Sequence, residues 1–230
     1  MGSKPIKFHQ KGPRFFFKYQ QINKYTLQNL SQNQLWMSQL KVFNDPFEGK
    51  YKLKDDLIPS TEQKERIELI SKSGVVCLAT HPSLIVDPSI DDTNIHPDNI
   101  LMWSHYSDNH YGICLGLRKN AIIYKVNYAK EFPELDLNEE KLPLELQAFF
   151  ILHRKHKSWA YENEYRAINA DIQNGPLSCG RSYEIERIYF GLRTSKGEID
   201  LIKNIASGRN INFYQAKLKS NNFDFEFIEI

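Results

Sequence analysis

Cysteine is scarce in these 230 residues: Cys77, Cys114 and Cys179 are an odd, widely spaced set with no Cys-x-x-Cys pair. That spacing argues against a thiolate zinc site and against a disulfide framework. Two of the three sit in apolar runs, where a free thiol behaves as a small hydrophobe; only Cys179 stands in a polar context, with no base beside it. No run of about 18 apolar residues occurs and no secretory leader is read, so the expectation is a cytoplasmic protein without a membrane partner. Also missing are Gly-x-Gly-x-x-Gly, a phosphate-loop lysine motif, a Gly-x-Ser-x-Gly elbow and His-Glu-x-x-His, which speaks against doubly wound nucleotide folds, serine hydrolases and helical zinc proteases. From Met1 to Asn44 there is no acidic residue, against Lys4, Lys7, Lys11, Arg14, Lys18, Lys24 and Lys41. Residues 1–13 read as a basic arm able to meet a nucleotide, another anionic small molecule or nucleic acid, or as a solvated basic face. The overall charge of +2 is too mild for a general nucleic-acid binder.

The composition, 41% hydrophobic and 25% charged, suits a single globular domain over residues 14–230. Periodicity predicts strands at 14–19, 35–38, 74–80, 111–117, 121–128, 183–192 and 223–230, the fourth and fifth joined as a hairpin through 118–120. Helices are expected at 26–31, at 61–71 with Ser60 and Gln63 as a capping box, at 144–156 with Leu146, Phe149, Phe150 and Leu152 inward, and at 196–206. The basic end at Arg154 to Lys157 reads as a complement to the helix dipole. Residues 81–97, rich in Asp, Pro and Ser, read as a long loop, either a lid or a surface insertion. Many strands without regular strand-helix alternation predict an α+β fold with a mixed, mostly antiparallel sheet.

Three polar aromatic clusters carry the functional expectation. Asn44 and Asp45 lie in a loop fixed by Pro46; Trp103, His105 and Tyr106 precede an apolar strand; Glu162, Glu164 and Arg166 follow Trp159 and Tyr161. In a strand the last three share one face and the two carboxylates perturb each other; in a helix Glu162 and Arg166 are an ordinary i,i+4 pair. His105, Asp108 and His110 lack metal-ligand spacing, and no metal is expected. Asn44, Asp45, His105, Tyr106, Glu162, Glu164 and Arg166 are expected to line one concave site.

These blocks, Leu35 to Ser38 with Phe43 to Glu48, Leu101 to Tyr106 with His110 to Leu115, and Lys157 to Arg166, resemble family 2971 of the domains of unknown function, a bacterial family. The resemblance runs from about Phe16 to Gly191. A second resemblance is to the split sheet of ADP-ribosyltransferases, which implies NAD as substrate and a transferase or glycohydrolase acting as a toxin or phage-defence effector. Carried over, Arg14 or Lys18 would hold NAD and Ser38 would order the nicotinamide side. Glu164 would stabilise the ribosyl cation and Glu162 would activate an acceptor. Lys18-Tyr19 stands where that family has Arg or His. Trp103 and Tyr106 would then cover the nicotinamide, with Asn44 and Asp45 on sugar hydroxyls. Two other readings stay open: a non-catalytic module for an anionic ligand or RNA, and a metal-dependent nuclease using Asp45, Glu48, His105 and Glu164.

Overall fold

The computed structural model describes residues 12–119, 122–139, 142–180 and 183–230; Lys4, Lys7 and Lys11 of the basic arm lie outside them. In chain order the elements are β1 (Phe15–Gln20), α1 (Lys24–Ser31), β2 (Gln34–Met37), β3 (Lys52–Leu53), α2 (Thr61–Ser71), β4 (Gly74–Ala79), α3 (Pro82–Val86) and α4 (Ile100–Tyr106). There follow β5 (Ile113–Lys119), β6 (Tyr124–Lys125), β7 (Asn127–Ala129), β8 (Glu134–Leu135), α5 (Leu144–Ile151), β9 (Arg154–His156) and β10 (Glu164–Asn169). β11 (Gly175–Ser178), β12 (Tyr183–Phe190), α6 (Lys196–Ile205), β13 (Asn212–Leu218) and β14 (Phe225–Glu229) complete the described chain. No helix among the described residues is long and apolar enough to cross a membrane.

Eight strands form one sheet in the order β14-β13-β12-β5-β1-β4-β10-β6. Every neighbouring pair is antiparallel except β12 and β13, which are parallel and joined through α6. The fold is therefore α+β with a large mixed, mostly antiparallel sheet, as the strand pattern predicts. β1 is buried on both faces, which explains its unbroken aromatic run: Phe16 packs with Leu117 and Tyr165, while Phe15, Phe17 and Tyr19 pack with Trp103 and Tyr189. The two halves of the sheet meet at a weak seam. β1 pairs with β5 at six positions and β4 pairs with β10 at six, but β1 and β4 share a single position, Phe17 with Ala79. Beyond it the Lys18 ammonium reaches the Cys77 carbonyl at 3.4 Å.

Several expectations give way. β5 does not form a hairpin with the following strand, because β1 and β12 occupy both its edges and β6 pairs with β10 instead; residue 120 of the expected turn and residue 121 of the expected strand lie outside the described ones. β13 was not expected at all. The helix at 144–156 ends at Ile151, and its inward stripe is Leu144, Ala148 and Ile151, packed with Ile67, Leu135 and Leu137. Of the residues expected inward, Leu152 is buried and Phe149 packs partly, both against Leu40 and Val75, while Leu146 and Phe150 face solvent. Residues 81–97 are not a bare loop: they hold α3 and a 3-10 turn at Asp92–Asn94. That turn is tied to the sheet through Asp92, which pairs with Arg118 and Arg187, both at 3.1 Å.

Candidate active site

Glu162 does not sit on a strand. Residues Lys157–Glu162 form a 3-10 helix, Asn163 turns in the left-handed region at φ 46°, and β10 starts at Glu164. Asparagine tolerates that conformation better than most residues, because its short amide bonds locally. Face-sharing along a strand is thus the wrong reason for bringing the two carboxylates together. They meet because both grip Lys155, whose Nζ lies 2.6 Å from Glu162 Oε2 and 3.0 Å from Glu164 Oε2.

Lys155 comes from β9, which is held beside β7 in parallel register. The helix-dipole account of the basic run fails for this residue: its side chain is 4% exposed and also lies 3.2 Å from Glu48 Oε1. Arg166 extends the cluster from beneath. Its Nε donates to Glu164 Oε1 at 2.7 Å, Nη1 to the Leu152 carbonyl at 2.8 Å, and Nη2 to Glu48 Oε2. Three buried carboxylates thus share two buried cations.

The two glutamates respond in opposite directions. Burial acts to raise both, as it disfavours any charged form. For Glu164 the neighbouring Arg166 and Lys155 outweigh burial and hold the carboxyl below its usual range. For Glu162 burial, helped by the charge on Glu164, outweighs Lys155 and pushes the pKa up to about 7. Tyr106, at the end of α4, donates its hydroxyl to Glu162 Oε1 at 2.6 Å, and the Asn44 amide reaches that hydroxyl at 3.5 Å. Helix α4 is aimed by its cap: the Asn99 side chain accepts from Leu101 N and Met102 N and donates to the Tyr161 carbonyl at 2.7 Å. The helix bearing Tyr106 and the turn bearing Glu162 are therefore fastened to each other.

A cavity of ≈ 210 Å³ opens over this cluster at the β1/β4 seam. Glu162, Glu164, Lys155, Tyr106, Asn44 and Lys18 supply its polar wall, with Phe17, Phe43, Cys77 and Met102 among its apolar residues. Burial holds the Lys18 ammonium below its usual pKa, partly offset by the charges of nearby groups including Glu164. Burial also raises the Cys77 thiol well above its ordinary value, which argues against a thiolate nucleophile. Burial likewise pushes the Cys179 pKa up to about 11.

Of the seven residues expected in one concave site, Asn44, Tyr106, Glu162 and Glu164 line the cavity, and Arg166 lies under it. Asp45 is turned into its own loop, accepting from Phe47 N at 2.9 Å, and lines a neighbouring cavity. His105 is exposed, against Tyr106, Trp159 and Tyr161. Tyr19 is buried but touches the cavity. Trp103 is fully buried, with its indole N–H on the Pro97 carbonyl at 2.5 Å, so it belongs to the core and cannot cover a ligand. Ser38 bridges Val75 through its backbone and lines a different cavity, which Lys18 also borders. Arg14 is exposed at the far end of β1, near Asp92 and Arg118.

The nuclease constellation does not assemble, because Glu48 and Glu164 are bridged by Arg166 and Lys155 while Asp45 and His105 point elsewhere. Among the described residues no group of three or more His, Cys, Asp or Glu is placed to hold a metal ion. Lys155 escaped the sequence reading of the site, and Glu48 entered it only in the nuclease alternative. The available signal was a lysine at the end of an apolar helix, seven residues before a glutamate, and that spacing alone has no distinct meaning.

No curated protein and no solved structure matches the chain. Residues 102–167, which include Tyr106, Lys155, Glu162, Glu164 and Arg166, match the model of the family described as "Protein of unknown function (DUF2971)", and the unknown-function family read from the sequence is supported over that stretch.

Proposed function

We propose that the seam cavity is the active site of a nucleotide-using transferase or glycohydrolase of the ADP-ribosyltransferase type, with NAD as substrate and Glu162 as general base. The observation that carries this reading is the uneven count of charges. Glu48 and Glu164 balance Lys155 and Arg166, which leaves Glu162 as a surplus carboxylate with a pKa near neutrality, at the cavity wall. A base is most effective when its pKa lies near the working pH.

Cleavage of the bond between ribose and nicotinamide sends the bonding pair to the nicotinamide nitrogen and leaves positive charge on the ribose. With Glu162 ionised the five ion-paired groups carry one net negative charge, which the Lys18 ammonium in the same cavity wall partly offsets; a carboxylate fixed in place and largely shielded from water stabilises a cationic transition state strongly. Water or an acceptor hydroxyl then forms the new bond to the ribose carbon and passes its proton to Glu162. Tyr106 and Lys155 orient that carboxylate, Asn44 and Lys18 offer polar contacts, and the cavity accommodates the reacting ring rather than a whole dinucleotide. The sequence-based role of Glu164 is thereby reassigned: two cations, Arg166 and Lys155, hold it ionised below the usual carboxylate range, so it positions the cations while Glu162, held by one cation, takes up the proton. Depletion of NAD is the route by which such an enzyme would act as a toxin or phage-defence effector.

The test is nicotinamide release with Glu162→Gln. This change keeps the shape and leaves a balanced cluster of two carboxylates and two cations, so folding survives while release falls roughly a hundredfold, the loss expected for one preorganised electrostatic group. Wild-type protein that binds NAD calorimetrically without releasing nicotinamide would favour the non-catalytic binding module instead.

A further inference from the structure

A second cavity, of ≈ 490 Å³, lies on the other side of Lys155. We infer that it binds a nucleoside phosphate, holding the base on aromatic side chains and the phosphate on lysine and arginine. Three aromatic residues line it: Phe47 and Phe132, exposed by 64% and 42%, and the half-buried Trp159. Such exposure around a concavity is costly in water and is relieved by stacking a planar group.

Lys50, Lys130 and Arg154 line the same cavity, and among the described residues none of the three makes an ion pair. The carboxylates there are largely committed. Glu48 is held by Arg166 and Lys155, and Asp45 accepts from the Phe47 backbone. Asp45, whose charge no cation pairs among the described residues, and the exposed Glu131 stand against the three cations, which leaves these five groups one net positive charge. The volume falls within the range of small-molecule sites. Free nucleotides and the end of a single nucleic-acid strand present the same chemistry, a base beside a phosphate.

The test is calorimetric titration of the full chain with AMP, inorganic phosphate and a short single-stranded oligonucleotide, at low and high salt. AMP should bind more tightly than phosphate, and its affinity should fall as salt rises. Lys50→Glu combined with Lys130→Glu, both at exposed positions, should weaken AMP at least about tenfold, because they reverse the charge around the phosphate. Phe132→Ala should weaken it by about fivefold to a hundredfold, the usual cost of losing one stacking ring. Tighter binding of the oligonucleotide, lost in the same variants, would identify a strand as the source of the ligand. The proposal is overturned if wild-type protein binds neither AMP nor the oligonucleotide, or if the lysine and Phe132 variants bind as wild type does. It is equally overturned if AMP binding is lost in Glu162→Gln alone, since the ligand would then occupy the seam cavity. Retention of AMP binding in Glu162→Gln separates this site from the proposed NAD chemistry, whichever way the nicotinamide assay falls.

Discussion

Two ion networks stand on opposite halves of the sheet, and they differ in one count. On the β5/β12 side Arg118 and Arg187 meet Asp92 and Glu186, with Arg118 Nε 2.5 Å from Glu186 Oε1. Two cations balance two carboxylates, the network is partly exposed, and its result is mechanical: the turn at Asp92–Asn94 is pinned to the sheet. On the β4/β10 side two cations meet three carboxylates, the network is buried, and the unbalanced charge falls on Glu162. Salt bridges of the first kind stabilise; those of the second kind create a group that can change its protonation near neutrality.

The comparison is sharpest when a cation is removed. Lys155→Met leaves three buried carboxylates with Arg166 alone, and should cost about 3–5 kcal/mol in urea unfolding, as expected for breaking one partner out of a buried network. Arg118→Met, in the partly exposed network, should cost about 1 kcal/mol or less. Equal losses at the two positions would remove the distinction drawn between them.

Glu164→Gln comes next. Removing that charge takes away one cause of the raised Glu162 pKa and frees Lys155 to favour the Glu162 carboxylate. If the proposed nicotinamide release follows Glu162, the pH at which it rises should be near 7 in wild type and lower in this variant, while stability falls because Arg166 loses a partner. A limb that stays in place would detach Glu162 from the cluster.

A smaller effect is expected on stability against pH. Glu162 binds its proton more tightly folded, at about 7, than an ordinary glutamate does at 4.5, so the folded state holds the extra proton between these values. Its contribution is fully present below the unfolded pKa and is lost as pH rises through about 7. Denaturant midpoints measured across that window should decline less steeply in Glu162→Gln than in wild type, and parallel curves would contradict the assignment.

The strand content and mixed sheet were legible because β1, β4 and β5 carry apolar runs of strand length and β12 alternates at its start, all without helical periodicity. The clustering of Tyr106, Glu162 and Glu164 was legible as polarity hard to place in such a region. Lys155 was not, since a lysine after an apolar helix normally faces water, and only the parallel pairing of β9 with β7 turns it inward. Trp103 misled for the opposite reason: its N–H finds a backbone carbonyl inside the core, a bond that sequence spacing does not reveal. Of the four residues expected inward along α5 and its C-terminal cap, Phe149 and Leu152 pack and Leu146 and Phe150 do not, because all four are equally apolar and the choice of face belongs to α2.

The role of the buried cluster depends on which carboxylate carries the unbalanced proton. Carbon-13 NMR titration of the glutamate side-chain carboxyls, with Glu162→Gln and Glu164→Gln to assign the resonances, measures it directly. The expected result is one buried glutamate, absent from the Glu162→Gln spectrum, titrating at about 7, with Glu164 ionised at every pH where the protein is folded. A Glu162 resonance titrating in the ordinary range near 4.5 would contradict the account.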